Sequence, residues 1–213
     1  MKWIMNETKE SQKSGYHHGD LRRALIDAAR QLVEEKGPDL CSVAEAARVA
    51  GVSKAAPYKH FTDREDMLLA VVMDAMDRKY ENMKTALDQS PSGSPEQIAT
   101  LGRLYVGFAV SQPNLFRLIF SRTDQHQDVD VAVDKGRRIF QLVQETVANV
   151  LGLPEVTKEA EHKALMLWSF VHGISFLLID GKVSSMGLDF DLESLLTEIG
   201  LRVLAPLPGD MSA

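Results

Sequence analysis

The stretch that decides the fold runs from Val43 to Glu65 and reads VAEAARVAGVSKAAPYKHFTDRE. Small residues precede Gly51, where one helix can pack across another, and glycine most easily takes the positive φ of a tight turn. Val52 is suited to anchor this turn in the core, and Ser53 is suited to cap the next helix. The spacing predicts a helix-turn-helix, the second helix of which enters the major groove of DNA. On spacing alone, an alanine-rich helical hairpin without a DNA partner stays open as the alternative.

The segment after Gly51 is predicted to be a helix of barely two turns that begins at the N-cap Ser53 and runs through Phe61. It combines cations and a phenol, which suit phosphate, with alanines small enough to admit a base edge. Pro57 falls in its first turn, where the missing N–H costs little. The candidate DNA-contacting residues on this helix are Lys54, Ala55, Ala56, Tyr58, Lys59 and His60.

Apolar residues recur at three- and four-residue spacing along the rest of the chain, which predicts an all-α fold of about nine helices. Capping boxes are expected at Ser42 with Glu45 and at Thr62 with Glu65. Stop signals are expected at Gly181 and after the last helix. The expected helices lie at about 21–37, 43–50, 53–61, 62–87, 96–111, 113–121, 128–151, 155–180 and 189–204, with the polar loop DQSPSGSP at 88–95.

Composition and charge limit the kinds of partner. The 213 residues are 45% hydrophobic and 25% charged, an ordinary globular mixture. Residues 1–64 carry 11 Lys and Arg against 9 Asp and Glu, whereas the rest of the chain is strongly acidic and brings the net charge to −6. Because affinity for a phosphate backbone comes from local basic side chains, a nucleic acid would have to bind the N-terminal third. An uneven surface charge without a partner explains the same difference.

The sequence is expected to belong to a soluble, cytoplasmic protein without a membrane partner. The most apolar run, Ala164 to Ile179, has 16 residues and several polar ones, fewer than the roughly 20 that a spanning helix needs. The first ten residues lack an apolar secretory core. The single cysteine, Cys41, cannot form an intrachain disulfide and suits a reducing compartment.

An enzyme is not expected, because the common nucleotide-binding, esterase and metalloprotease motifs are missing from the sequence. Glu159 and His162 have the spacing used by di-iron bundles, but no second pair accompanies them, so a solvated face is expected. The adjacent histidines at 17–18 make a poor metal site, and Cys41 is expected to be buried filler. No catalytic residue, metal or cofactor is predicted.

The segment Val43–Glu65, together with the helix from Leu21 to Gly37, resembles the DNA-binding signature of the tetracycline-repressor (TetR) family. The match is specific at Gly51-Val52-Ser53 and at the run YKHF, 58–61, and it covers about residues 17–68. The order of the later helices is similar to the ligand-binding half of that family. Trp168 followed by His172-Gly173, and the leader YHHGDL at 16–21, are similar to one subclass with a Trp-His-Gly signature.

This resemblance implies a dimeric regulator, most often a repressor, that binds a palindromic double-stranded DNA operator and is released by a small-molecule effector. It implies an arm at 1–16, a DNA-binding domain at 17–64 and a ligand-binding and dimerisation domain at 65–213. It also adds Ser42, Ser53 and Arg64 to the DNA-contacting residues. With alanines at two reading positions, we expect specificity to depend on Lys54, thymine methyl groups and DNA shape.

The resemblance further implies an effector pocket among the helices after the DNA-binding domain. The candidate pocket residues are Phe108, Phe116, Phe120, Phe140, Trp168 and His172. Aromatic residues at helical spacing also form ordinary cores, so a packing role stays open for each of them. A helical adaptor that binds protein rather than DNA is the alternative function, although it gives the basic residues between Ser53 and Phe61 no reason to cluster.

Overall fold

The structure, a computed structural model, describes residues 18–121 and 129–206, with side chains from 21 to 121 and from 130 to 206. Within these ranges the chain forms nine α-helices and two short 3-10 turns, and no strand, which confirms the all-α prediction. The predicted N-terminal arm lies outside the described residues. The helices are α1 His18–Lys36, α2 Val43–Val49, α3 Arg64–Asp88, α4 Pro95–Ser111, α5 Pro113–Ser121, α6 Val129–Val150, α7 Lys158–Ile179, α8 Lys182–Ser185 and α9 Leu192–Leu204, with 3-10 turns at Pro38–Leu40 and Pro57–Lys59.

The predicted helix from Ser53 to Phe61 is wrong as an α-helix. The segment is a tight turn followed by the 3-10 turn Pro57–Lys59, and Ser53 accepts from the Ala56 N–H through its main-chain carbonyl at 3.0 Å. Successive bonds join residues three apart, as in a 3-10 helix. The physical reason is Pro57, which has no N–H to donate to the Ser53 carbonyl and so removes the first α-helical bond.

Ser42 caps α2 as predicted, although the Glu45 carboxylate pairs with Lys36, whereas the cap of α3 is shifted. Ser42 Oγ accepts from the Glu45 N–H at 3.1 Å. The expected box of Thr62 with Glu65 is wrong: Asp63 is the N-cap of α3, and its carboxylate accepts from the Asp66 N–H at 2.8 Å. A carboxylate is favoured at this position because it meets both the free N–H groups and the positive end of the helix dipole.

Helix α3 links two packed regions. It has 25 residues and is roughly 37 Å long at about 1.5 Å per residue. Its first half shares a continuous core with α1, α2 and α5, to which Leu25, Phe61 and Leu115 contribute fully buried side chains. Its second half packs against α4 and α6 around Met83. The predicted domain boundary at residue 64 falls at the start of this helix and stays a prediction.

Helix α7 is apolar but only partly covered. Its 22 residues, with a mean hydropathy of 1.4 in the most apolar window, are long and apolar enough to cross a membrane by length and composition, yet only 22% of that window is buried. On the packed side, Lys163 donates to the carbonyls of Val203 and Ala205 at 2.7 and 2.9 Å, which fixes α7 against the end of α9. The outer side leaves Leu165, Met166 and Leu177 about half exposed.

The remaining predicted helices agree with the structure to within three residues at each end. The chain stops α7 at Gly181, which has a φ of +65°, as the sequence predicts. Helix α8, a single turn, is not predicted from the sequence, because four residues are too few for a periodic pattern to register.

Candidate functional site

The candidate DNA-binding surface is a single exposed turn. Its candidate residues Ser53, Lys54, Ala55, Tyr58 and Lys59 are exposed, whereas Ala56 and His60 are half-buried. Two buried residues of the same segment, Pro57 and Phe61, hold the turn against the core.

Because Pro57 and Phe61 are buried, the side chains of Lys54, Tyr58 and Lys59 are exposed on the same turn. Tyr58 is 61% exposed, unusually high for an aromatic side chain. A surface with cations and a phenol is suited to contact phosphate oxygens. These DNA-contacting roles stay predictions.

Arg64 and Ser42 lie at the edge of this surface and are engaged within the chain. Arg64 donates from Nε to the Cys41 carbonyl at 2.8 Å and from Nη2 to the Pro38 carbonyl at 2.6 Å. It also pairs with Glu65. These bonds tie the start of α3 to the connection between α1 and α2. Arg64 therefore positions the DNA-binding unit internally, and its predicted phosphate contact would require it to give up bonds that it makes here.

Cys41 is the buried filler that the sequence predicts. Its side chain is 1% exposed, and burial raises the pKa of the thiol to about 11. A thiol with a raised pKa is a poor nucleophile and metal ligand at neutral pH. Among the described residues, no group of three or more His, Cys, Asp or Glu side chains is placed to hold a metal ion. Glu159 instead pairs with Lys163 across one helical turn.

A second candidate site is an apolar cavity of about 250 Å³ between α3, α4, α6, α7 and α9, closed at one side by α5. It lies on the opposite half of α3 from the DNA-binding turn. Nearly all of its described lining is apolar, with one charged side chain, Lys79. The lining comprises Met76, Lys79, Met83, Ile98, Leu101, Gly102, Tyr105, Ile119, Phe120, Gly136, Ile139, Phe140, Val143, Leu167, Trp168, Val171, Leu196 and Ile199.

The structure brings three of the six predicted pocket residues to the cavity wall, namely Phe120, Phe140 and Trp168. The other three lie behind or beside that wall. Phe116 is fully buried in the cluster of α4, α5 and α7. His172 makes an edge-to-face contact with Phe120, with 4.6 Å between the ring centroids. Phe108 lines a neighbouring polar cleft instead. Whether any of the six touches an effector stays a prediction.

A polar chain links the cavity wall to the residues behind it. Trp168 Nε1 donates to the Tyr105 hydroxyl at 3.3 Å, and the Tyr105 hydroxyl lies 2.8 Å from His172 Nδ1. Burial raises the pKa of Tyr105, so the phenol keeps its proton and can donate to His172. Burial, with the nearby charge of Lys79, lowers the pKa of His172. A pKa below the ordinary value keeps His172 predominantly neutral at pH 7, where one ring nitrogen donates and the other accepts.

Lys79 and Tyr105 are polar residues of the cavity lining that the sequence does not predict. Lys79 Nζ lies 3.8 Å from the centroid of the Tyr105 ring and 5.7 Å from that of Phe108. Burial lowers the pKa of Lys79 to about 7. Among the described residues, no carboxylate forms an ion pair with it. The spacing of Met76, Lys79 and Met83, three and four residues apart, could have placed Lys79 on the apolar face of α3.

Two sets of contacts connect helices that line the cavity to α1, which packs against α2 in the candidate DNA-binding domain. The first is an ion cluster between α1 and α3: Asp74 accepts from Arg23 at 2.7 Å and from Arg78 at 2.8 Å, and Asp27 accepts from the same two arginines at 2.9 and 3.0 Å. Arg78 precedes Lys79 in the chain. The cluster therefore ties α1 to the part of α3 that leads into the cavity.

The second set joins the end of α1 to the start of α5. The Glu34 carboxylate accepts from the backbone N–H groups of Asn114 and Leu115 at 3.4 and 3.2 Å, and the Asn114 side chain donates to the Glu34 carbonyl at 2.9 Å. The negative charge at a helix N-terminus is favourable. Helix α5 then carries Phe120 to the cavity wall, so α1 contacts the cavity through a second helix.

The short helix α2 followed by an exposed turn is typical of helix-turn-helix transcriptional regulators. Two family models match the chain: "Bacterial regulatory proteins, tetR family" over residues 25–71, and "Tetracyclin repressor-like, C-terminal domain" over residues 98–201. The chain belongs to the tetracycline-repressor family. Membership in the subclass with the Trp-His-Gly signature stays a prediction.

Known relatives agree with this assignment. An uncharacterized HTH-type transcriptional regulator of Haemophilus influenzae is 33% identical over 99 residues, 46% of this chain and 48% of that protein. The HTH-type transcriptional regulator BetI of Rhizobium meliloti is 28% identical over 83 residues, 39% of this chain and 40% of that protein. The chain thus matches about half the length, or less, of these curated relatives.

Solved structures share the fold over most of the chain. A protein of unknown function from a Rhodococcus species has a TM-score of 0.75 and 28% identity, and the match covers 90% of this chain and 97% of that one. The transcriptional regulator FadR of Bacillus subtilis, solved in complex with stearoyl-CoA, has a TM-score of 0.66 and 15% identity and covers 86% and 97% of the two chains. At that identity the second likeness concerns the fold alone.

Proposed function

We propose that this protein is a homodimeric, ligand-responsive transcriptional regulator, which represses by binding a palindromic operator and is released by a small-molecule effector. The observation that carries the proposal is the arrangement along α3. One end of this helix supports an exposed turn with Lys54, Tyr58 and Lys59, and the other end lines a largely apolar cavity. The stearoyl-CoA complex of the structurally similar FadR supports a ligand role for a cavity in this fold.

The outer face of α7 supports the dimer. Exposed residues recur along it at three- and four-residue spacing, which gives one continuous stripe with Gly173 near its middle: His162, Met166, Ser169, Gly173 and Leu177. A Cβ built at Gly173 has no neighbour within 4 Å, so a second helix could approach closely there. Burying this stripe in a dimer would also remove from water the apolar surface that makes α7 resemble a membrane span. The cytoplasm is the proposed location, in keeping with a DNA partner and a reduced thiol at Cys41.

In this proposal the effector acts by shifting a population. Paired recognition turns must be about 34–36 Å apart to meet successive half-sites of a palindrome. An effector that binds one position of α3 more tightly than another shifts the dimer toward the conformation with that position. The ion cluster of Asp27 and Asp74 would carry this movement to α1. A crosslink that fixes the distance between the two DNA-binding units should then abolish release by the effector.

Selection of bound duplexes from a random DNA pool, at near-physiological salt, tests the proposal. We expect enrichment of a palindrome with half-sites about one turn apart. Retention on that DNA should decrease steeply with salt, because lysine contacts release counterions from phosphate. Absence of enrichment by the folded protein, together with no retention on DNA at low salt, would overturn the proposal in favour of a helical adaptor that binds protein.

A further inference from the structure

Among the described lining residues, the largely apolar cavity has one charged side chain. Lys79 is the single charged residue of the described lining, and the other polar groups there belong to Tyr105 and Trp168, which already bond within the chain. An ammonium group in such surroundings loses hydration, and no carboxylate of the described residues pairs with it. The Tyr105 ring face recovers only part of the lost hydration energy. A bound anion would supply the missing partner.

The position of Lys79 also indicates where the anion would lie. Its side chain lines both the apolar cavity and a polar cleft toward α1, the walls of which include Arg30, Arg78 and Gln112. The apolar part of a ligand would therefore extend away from this boundary, along the apolar lining of the cavity. A ligand with one charged end and one apolar end fits both surroundings at once.

The size of the cavity restricts the apolar part. At roughly 30 Å³ for each heavy atom at liquid density, as estimated from water, about 250 Å³ holds on the order of eight heavy atoms. The described walls include two methionines, Met76 and Met83, whose unbranched side chains adapt to a flexible ligand.

We propose that the effector is an amphipathic anion with a medium-length apolar chain, whose carboxylate or similar anionic group binds Lys79 at the boundary between the cavity and the polar cleft. This inference rests on the proposed function, because it assigns the chemistry of the effector site. It makes Lys79 the residue that selects charged ligands over neutral ones of the same shape. The apolar lining then provides affinity without discriminating between the two.

The test compares octanoate with octanamide, which has the same shape and no charge, by titration calorimetry on the full chain. We expect wild type to bind octanoate at least tenfold more tightly than octanamide. In Lys79→Met the preference should disappear while octanamide binding is retained. Lys84→Met, which removes an exposed lysine of the same helix, should behave as wild type.

Several results would overturn the inference: no octanoate preference in wild type, an unchanged preference in Lys79→Met, or no binding of either probe. Circular dichroism establishes that each variant is folded. Operator binding is measured separately in the absence of ligand. If the operator is bound but octanoate is not, the effector assignment fails and the proposed function stands; if octanoate is bound but no DNA is, the proposed function fails.

Discussion

At the scale of single residues, Tyr58 shows how an exposed side chain can report on function. A phenol that is 61% exposed on a turn fixed by Pro57 and Phe61 contributes little to folding. Its hydroxyl is available to donate to a phosphate oxygen, a contact that positions a protein on DNA without reading its sequence. A change at Tyr58 should therefore affect DNA affinity without affecting stability.

Tyr58→Phe removes this hydroxyl and keeps the ring. We expect operator affinity to fall by about 1–2 kcal/mol, the contribution of one hydrogen bond to a charged acceptor, and to fall equally for unrelated duplexes. Fluorescence anisotropy on both kinds of DNA measures the effect. Tyr80→Phe serves as the control, since the ring of Tyr80, on α3, packs beneath Arg138 and away from the turn. Equal affinities for wild type and Tyr58→Phe would remove Tyr58 from the interface.

Lys79 has a measurable cost in the unliganded protein. Burial lowers its pKa to about 7 from an ordinary value of 10.5. Between these two pH values the unfolded chain holds a proton that the folded chain lacks, so the free energy of unfolding increases as pH rises through this window. Below pH 7 both states are protonated and the full penalty applies. Contact with the Tyr105 ring offsets part of it.

Lys79→Met should remove this penalty. We expect the variant to be more stable than wild type by on the order of 2–4 kcal/mol at pH 6.5, and the difference to shrink steadily toward pH 10. Urea unfolding across this range measures it, with Lys84→Met as the matched exposed control. A stability difference that does not change with pH would show that the gain comes from packing and not from charge.

At the scale of elements, periodicity makes the long helices predictable, whereas features that depend on single bonds are missed. Helices such as α3 and α7 have enough turns for their apolar faces to register, and the sequence predicts their limits to within three residues. The turn at Pro57 has a helical composition, but one missing N–H decides its geometry and makes the predicted α-helix wrong. The α3 cap lies one residue beyond the predicted one because Asp63 outcompetes Thr62 there.

The sites show the same division. Exposure of the basic turn is consistent with its pattern, and three of six expected aromatic residues reach the cavity wall. Lys79 is missed because a lysine in a helix is ordinarily solvated, and only the packing of Tyr105 above it reveals the enclosure. Whether an aromatic side chain faces the cavity or packs behind its wall depends on how helices far apart in the sequence cross. The local sequence does not specify these crossings.

The contact between α1 and α3 depends on Asp74. Its carboxylate has a side-chain exposure of 13% and accepts from two arginines, Arg23 and Arg78. Asp74→Asn replaces the more buried of the two carboxylates by a neutral acceptor and leaves Asp27 as the anionic partner of both arginines in this cluster. We therefore expect a loss of about 1–3 kcal/mol in the free energy of unfolding. We also expect weaker coupling between effector and operator, because α1 is less firmly fixed to α3.

Chemical unfolding of Asp74→Asn measures the first effect, and operator release at saturating effector measures the second. Asp134→Asn is the control, because Asp134 pairs with Arg137 across one turn with both side chains about 70% exposed, a geometry worth well under about 1 kcal/mol. If the Asp74 variant is as stable as the Asp134 variant, the ion cluster between α1 and α3 contributes little to the free energy of unfolding.

At the scale of the whole molecule, the chain is suited to act in pairs. The stripe on α7 places apolar and small residues on its outer face, while Lys163 and Ala164 on the inner face are buried against the rest of the fold. When two recognition turns are joined through such a stripe, binding of the first turn to one half-site holds the second turn near the other half-site. The high effective concentration of the second turn then raises the affinity of the dimer above that of a single turn. Loss of the dimer should therefore cost more DNA affinity than loss of any one contact to phosphate.

Gly173→Glu tests this dependence. In a single chain the position is open, with no atom within 4 Å of a Cβ, and replacing a helical glycine favours the helix by roughly 0.5–1 kcal/mol, so the fold should be kept. In the dimer the carboxylates would meet at the centre of the stripe and be desolvated. We expect light scattering to give the 23.6 kDa mass of one chain in place of twice that value, and operator affinity to fall at least tenfold. Gly107→Glu, an equally open glycine on α4, should leave both properties unchanged. A Gly173 variant that stays dimeric would mean that another surface holds the two chains together.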